Sequence, residues 1–180
     1  MMPGEGTTPQ VSFLPAMPTL PESSVRAVLD GLGVAYEWMP CDPDFADTAA
    51  FCERYGVSPD TSANTIVVAS RRGPEAYCAC VVLATTRLDV NTTVRRLMGV
   101  AKASFASADE TVQLTGMLIG GVAPFGLPDS LPLYVDGAVM QRDRVVTGAG
   151  SRSAKVLVAP DALARLPNAT VVTGLATPRA

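Results

Sequence analysis

The sequence contains no histidine. That absence removes Ser-His-Asp and Cys-His catalysis, histidine-ligated zinc, and the usual proton shuttle at neutral pH. Proton transfer in this chain falls to a carboxylate, Lys, Tyr, Cys, water or the substrate itself. Lysine is scarce as well: Lys102 and Lys155 are the only two, and the other basic residues are arginine. No apolar run reaches the ~18–20 residues of a membrane span. The opening MMPGEGTTPQ has neither the basic region nor the apolar stretch of a signal peptide, so a soluble cytoplasmic protein is expected. Neither GxGxxG nor a Walker A pattern occurs, which removes the common nucleotide-fold signatures. No CxxC pair occurs either, and Cys78-Ala79-Cys80 without histidine is a poor zinc motif, so no metal and no cofactor is expected.

What is present describes one folded domain. The chain has 180 residues, 48% apolar and 17% charged, which is enough to bury a core and too apolar for a disordered chain. A net charge of -3 argues against a broad basic face for non-specific nucleic-acid binding and leaves room for a local patch. Arg71-Arg72, Arg95-Arg96 and Arg142/Arg144 fit a solvated surface better than a phosphate site. Cys41, Cys52, Cys78 and Cys80 are expected to be small buried hydrophobes in a reducing compartment.

Five prolines among the first 21 residues predict a mobile tail over 1–21, and 176–180 is expected to be loose. Val25, Val28, Leu29 and Leu32 have helical spacing, with Gly33 as a stop. Val34 to Met39 predicts a strand, and Asp47 an N-cap for a helix ending at Gly56. Thr65 to Ala69 and Ala76 to Ala84 flank a polar Gly-Pro turn and predict a hairpin. A helix from Asp89 to Met98 and a strand at Ala103 to Ala106 follow. Ser107-Ala108-Asp109-Glu110 is a capping box for a helix closed by Gly116. Leu133 to Asp136, Arg144 to Thr147, Lys155 to Val158 and Thr170 to Thr173 predict strands, with a small helix over Asp161 to Leu166. The mixture has no strict βαβ rhythm, so an α/β (mixed α+β) domain over 22–175 with one curved mixed sheet and short flanking helices is expected.

Two glycine-rich stretches interrupt these elements: Gly120 to Gly126, and Gly148-Ala149-Gly150-Ser151-Arg152. Such loops let a ligand approach the backbone and aim free N–H groups at an oxyanion, although a tight turn is the simpler role for either alone. In combination they carry a resemblance. LGVAYEWMP, YGVSP, SANTIVVAS, the middle segment TRLDVNTTVRRLMGVAKASFASADETVQLTG, GGVAPFGLP before a YVD strand, and VVTGAGSRSAKVLVAP together resemble the YbaK/EbsC family. This is the aminoacyl-tRNA deacylase domain also associated with prolyl-tRNA synthetase, and the likeness runs from Val25 to Val172.

The resemblance implies trans-editing, the hydrolysis of the ester joining a wrong amino acid to its tRNA, with the aminoacyl-tRNA acceptor end as partner. It places Gly120 to Pro124 against the aminoacyl group and closes the pocket with Gly148 to Arg152. The family's lead catalytic residue is a lysine, and the matching position here is Asn64, which brings a neutral amide instead of a charge. A charge-assisted bond is roughly twice as strong as a neutral one. Asn64 can orient a carbonyl or water, as amides do in oxyanion holes, or it can simply tie down the start of a strand. Lys155, just after the second loop, is the residue able to supply the missing charge. On this basis Asn64, Gly120 and Gly121 are the catalytic candidates. Thr65, Val122, Pro124, Phe125, Gly148, Gly150, Ser151, Arg152 and Lys155 are the substrate-binding ones. Two other functions remain open at this point: a binding module on the same fold that lost catalysis with the lysine, and a hydrolase for a small ester unrelated to tRNA.

Overall fold

The computed structural model describes residues 20–179; residues 1–19, most of the expected tail, and residue 180 lie outside the described residues. The first helix, α1 (Leu20–Leu32), starts two residues before the expected boundary. Val25 and Leu29 are fully buried on its inner face, and Gly33 ends it with a left-handed φ of 66°. Strand β1 (Tyr36–Pro40) and helix α2 (Thr48–Tyr55) follow, the latter closed by Gly56.

The predicted hairpin is present as β2 (Ala63–Arg72) and β3 (Tyr77–Leu83), paired antiparallel. Strand β4 (Thr86–Leu88) comes next. The Asp89 carboxylate then accepts from the N–H groups of Thr92 and Thr93, opening a helical segment. That segment is wider than expected at first: Val94 N–H reaches back five residues to Asp89 O at 3.0 Å before the short helix α3 (Arg95–Met98) forms. Strand β5 (Lys102–Phe105) leads into α4 (Ala108–Thr115), whose Ser107/Glu110 capping box has both reciprocal bonds in place. The remaining elements are β6 (Leu133–Asp136), α5 (Gly137–Met140), β7 (Val145–Gly148), β8 (Ala154–Val158), α6 (Asp161–Ala164), β9 (Ala169–Val172) and β10 (Ala176–Pro178).

The fold is the mixed α/β arrangement with short helices that the sequence predicts, and among the described residues its strands fall into three sheets. A five-stranded mixed sheet has the order β5-β2-β3-β6-β9, antiparallel on the β5 side and parallel on the β9 side. A three-stranded antiparallel sheet has the order β1-β8-β7. Among the described residues a single isolated bridge, Ser62 to Val146, joins the two, so they do not merge. The third sheet is the pair β10-β4; the chain at Ala176–Pro178 is therefore paired, where a loose end was expected.

The main core lies between these layers. Ala79, Val81 and Leu133 from the large sheet meet Val156 and Val158 from the small one, with Val25, Leu29 and Phe125 between them. A second core covers the other face of the large sheet, where Cys78, Cys80 and Val82 pack with Leu88, Val94 and Leu175. The alternation of strand side chains divides β3 between the two cores.

Candidate active site

The site grows from an unpaired stretch of β2. In an antiparallel ladder, successive residues bond alternately to one neighbour and to the other side. Ala84 N–H donates to Ser62 O at 2.8 Å, and Ser70 N–H to Ala76 O at 2.9 Å. The even-numbered residues of β2 thus bond toward β3, and the odd-numbered ones face the opposite edge. On that edge Ala106 N–H donates to Val67 O at 2.9 Å, and β5 pairs with β2 from Val68 onward. At the other end the residue before β2, Ser62, forms a single bridge with Val146 of β7. Thr65 lies between that bridge and the start of the β5 pairing at Val68.

A cavity of about 350 Å³ opens at this gap. Its floor is Ser62 and the start of β2 from Ala63 to Val67. One wall is the end of β5 with Phe105 and Ala106, and the opposite wall is β7 with Val146, Thr147 and Gly148. Thr48 and Phe51 of α2, together with Ile119, Gly120 and Val122 of the first glycine-rich loop, complete it. At the mouth, Phe105 and Ile119 remain 55% and 51% exposed, large apolar groups offered to solvent beside the pocket.

Lys155 is the cation of this cavity. It occupies the middle strand of the small sheet, opposite Met39 on one side and Gly148 on the other, and is 7% exposed. Its Nζ donates to Gly120 O at 2.7 Å and stands 5.5 Å from the Phe51 ring centroid. Burial pushes the Lys155 ammonium below the ordinary lysine range, since desolvation penalises its charged form. Asn64 shares the cavity; its Oδ1 accepts from Thr48 Oγ1 at 2.6 Å, which leaves the amide hydrogens as its donors.

Asp47 is the acid at the rim. Its carboxylate does not cap α2; it pairs instead with Arg152 at 2.9 Å, and that guanidinium holds the carboxyl below its usual range. Arg152 also donates to Ile119 O at 2.8 Å and to Pro43 O at 2.9 Å. It therefore fastens three chain segments behind the pocket wall. The four cysteines are all free thiols. Burial pushes Cys41 and Cys52 up, and the contact with Cys78, followed by burial, pushes Cys80 up. Cys41 is only half-buried, contrary to expectation, and its thiol donates to Arg152 O at 3.3 Å.

The two glycine-rich loops pack on each other. A Cβ on Gly121 would collide with the Ser151 backbone, and one on Gly148 with the Val122 carbonyl. Gly150 N–H donates to Gly121 O at 2.8 Å. The two loops approach each other through these positions, so the absent side chains serve loop-against-loop packing. A Cβ on Gly120 would overlap the Arg152 guanidinium.

Of the residues proposed from sequence, Asn64, Thr65, Gly120, Val122, Gly148 and Lys155 line the cavity together. Gly121, Pro124, Phe125, Gly150, Ser151 and Arg152 are not among its walls. The reason is the path of the first loop, which turns inward after Val122 and plants Phe125 in the main core with no exposure. Ser151 instead donates to the Glu22 carboxylate of α1. Thr48, Phe51, Phe105 and Ile119 were not foreseen; only an isolated aromatic at the end of a predicted strand marked Phe105. Among the described residues no group of three or more His, Cys, Asp or Glu is placed to hold a metal ion. No helix among them is long and apolar enough to cross a membrane.

Residues 42–166 match the model of the aminoacyl-tRNA editing domain, a span that includes both glycine-rich loops, Asn64 and Lys155. The crystal structure of the hypothetical protein APE2540 is similar at a TM-score of 0.75 and 26% identity, covering 86% of this chain and 99% of that one. A candidate trans-editing enzyme for prolyl tRNA synthetase superposes at a TM-score of 0.70 and 23% identity, covering 86% of this chain and 96% of that one. A scaffold protein used for epitope backbone grafting superposes at 0.72 and 22% identity, covering 86% and 97%. The last two likenesses concern the fold.

Proposed function

The chain belongs to the aminoacyl-tRNA editing domain family, and from that premise we propose that it is a YbaK-type deacylase acting in trans in the cytoplasm. It hydrolyses the ester between a wrong amino acid and the terminal ribose of its tRNA. The observation that carries this reading is Lys155 Nζ, buried in the cavity and held 2.7 Å from the Gly120 carbonyl. The positive charge that is missing at Asn64 is present in the same cavity, delivered from a different strand.

In the proposed reaction a water oxygen attacks the ester carbonyl carbon. Charge develops on the carbonyl oxygen, where the Lys155 ammonium and the Asn64 amide hydrogens stabilise it. One well-placed donor of this kind is worth about 10²–10³ in rate. The bond to the ribose oxygen then breaks. That oxygen takes up a proton, the attacking water loses one, and the products are a free amino acid and an uncharged tRNA. Asp47 is a weak base because Arg152 holds it ionised, so water and the ribose hydroxyls carry the protons. Phe105 and Ile119 at the mouth suit the unpaired acceptor end, since base stacking on an aromatic contributes about 1–3 kcal/mol per base.

A panel of mischarged tRNAs, assayed for release of free amino acid by the wild-type protein, tests the proposal. Hydrolysis of at least one is expected. The Asn64–Thr48 bond favours a second reading, in which Asn64 is a structural tie and the domain binds without cleaving. Under that reading the wild type is inactive on the whole panel, and Asn64→Lys restores cleavage.

A further inference from the structure

Thr65 Oγ1 is, among the described residues, the one buried side-chain nitrogen or oxygen without a hydrogen-bond partner. An unpaired buried hydroxyl is a cost that folded proteins seldom leave uncompensated. Three other hydroxyls of the cavity are engaged: Thr48 with Asn64 Oδ1, Thr111 with Ser107 O, and Thr147 with Gly148 O. Thr65 is also an odd-numbered β2 residue, so by the ladder's alternation its backbone N–H and C=O point away from β3, toward the edge that β5 pairs from Val68 onward. Its unpartnered hydroxyl and this backbone edge lie together in the wall of the cavity.

We infer that Thr65 is the anchor for the α-amino end of the substrate, and that the domain selects aminoacyl groups whose amine is free. The inference rests on the deacylase reading and narrows it. An aminoacyl ester carries an amine and a carbonyl on one α-carbon, the same pair of groups that one residue presents to a neighbouring strand. Laid along the open edge, the α-ammonium donates to Thr65 O and the ester carbonyl accepts from Thr65 N–H, as in a bonded pair of an antiparallel ladder. A second ammonium hydrogen reaches Thr65 Oγ1 and satisfies it. The ester carbonyl is thereby aimed at one end of the gap, toward the Asn64 and Lys155 side of the cavity. An N-acylated ester lacks that second hydrogen and adds bulk at the edge.

The test uses Thr65→Val, which keeps the shape and removes the hydroxyl, with Thr65→Ser as the rescue. Binding is measured by calorimetry with a non-hydrolysable probe, adenosine bearing an amide-linked amino acid at the 3′ position, with its amine free or acetylated. Thr65→Val is expected to weaken the free-amine probe about tenfold, while Thr65→Ser stays near the wild type. The acetylated probe is expected to bind weakly and equally to wild type and Thr65→Val. Thermal unfolding supplies a readout that a merely structural threonine would not give: removal of the unpaired hydroxyl should raise Tm by about 2–4 °C, not lower it. Equal binding of the free-amine probe by wild type and Thr65→Val would overturn the inference, as would equal wild-type affinity for the free and acetylated probes or no probe binding at all. The mischarged-tRNA panel reports separately on hydrolysis. A Thr65-dependent preference for the free amine in a protein that cleaves nothing would uphold this inference and remove the deacylase reading.

Discussion

Lys155 combines burial with a single hydrogen bond to a loop carbonyl, and its titration follows from that setting. Desolvation lowers its folded pKa beneath the ordinary 10.5, so deprotonation comes earlier as pH rises. If the ammonium stabilises the oxyanion, enzymatic hydrolysis falls on the alkaline side with an apparent pKa below 10.5 once spontaneous hydrolysis is subtracted. Lys155→Met should lack that limb. Stability carries the opposite sign. Between the folded and unfolded pKa values the unfolded chain binds more protons, so stability rises with pH across that window and is flat below it. Tm measured against pH for wild type and Lys155→Met checks this, because the rise belongs to Lys155 and should disappear in the variant.

Two pairs of elements hold the site in shape. The first is the contact between the two glycine-rich loops. Gly148→Ala places a methyl group against the Val122 carbonyl, which forces the loops apart. Overpacking of this kind costs about 1–3 kcal/mol, and thermal unfolding of this variant should show a fall of several degrees together with lost activity. The second is the clamp between β2 and α4. Arg71 donates to both oxygens of Glu110 and to Phe105 O, tying the hairpin to the strand that supplies the cavity's aromatic rim. With Arg71, and then the Ser107 N–H, bound to it, Glu110 is held down to about 2 against an ordinary 4.5. Its stabilising effect is complete above about pH 4.5 and is lost as pH falls toward 2. Glu110→Gln should flatten that part of the Tm–pH curve.

At the scale of the whole molecule, patterns local in the chain were legible in the sequence and contacts between distant segments were not. The capping box at Ser107, the αL glycines after α1, α2 and α4, and the strand at Leu133 each depend on a few adjacent residues, and each is present. Strands β4 and β10 escaped notice because three residues are too few to show alternation and Pro178 argues against a strand. How the strands divide among sheets is set by contacts between distant segments, such as the Ser62–Val146 bridge, which the sequence does not show. The same limit applies to the site. Asn64, Gly120, Val122, Gly148 and Lys155 could be drawn from the loops and the family resemblance, whereas the position of Phe51 beside Lys155 arises only from packing. A glycine needed for ligand approach and one needed for loop contact look identical in sequence, so the loop contact at Gly121 and Gly150 is not legible there.

The central claim is that an ester is cleaved here with the charge of Lys155 standing in for the missing lysine at Asn64. Single-turnover deacylation of the mischarged tRNA that the wild type hydrolyses, compared with Lys155→Met of unchanged fold, tests it most directly. Replacing a buried ammonium by an apolar isostere is often neutral or stabilising, so the variant is expected to fold. The account predicts that its rate falls by about 10²–10³. A Lys155→Met rate equal to that of the wild type would contradict it.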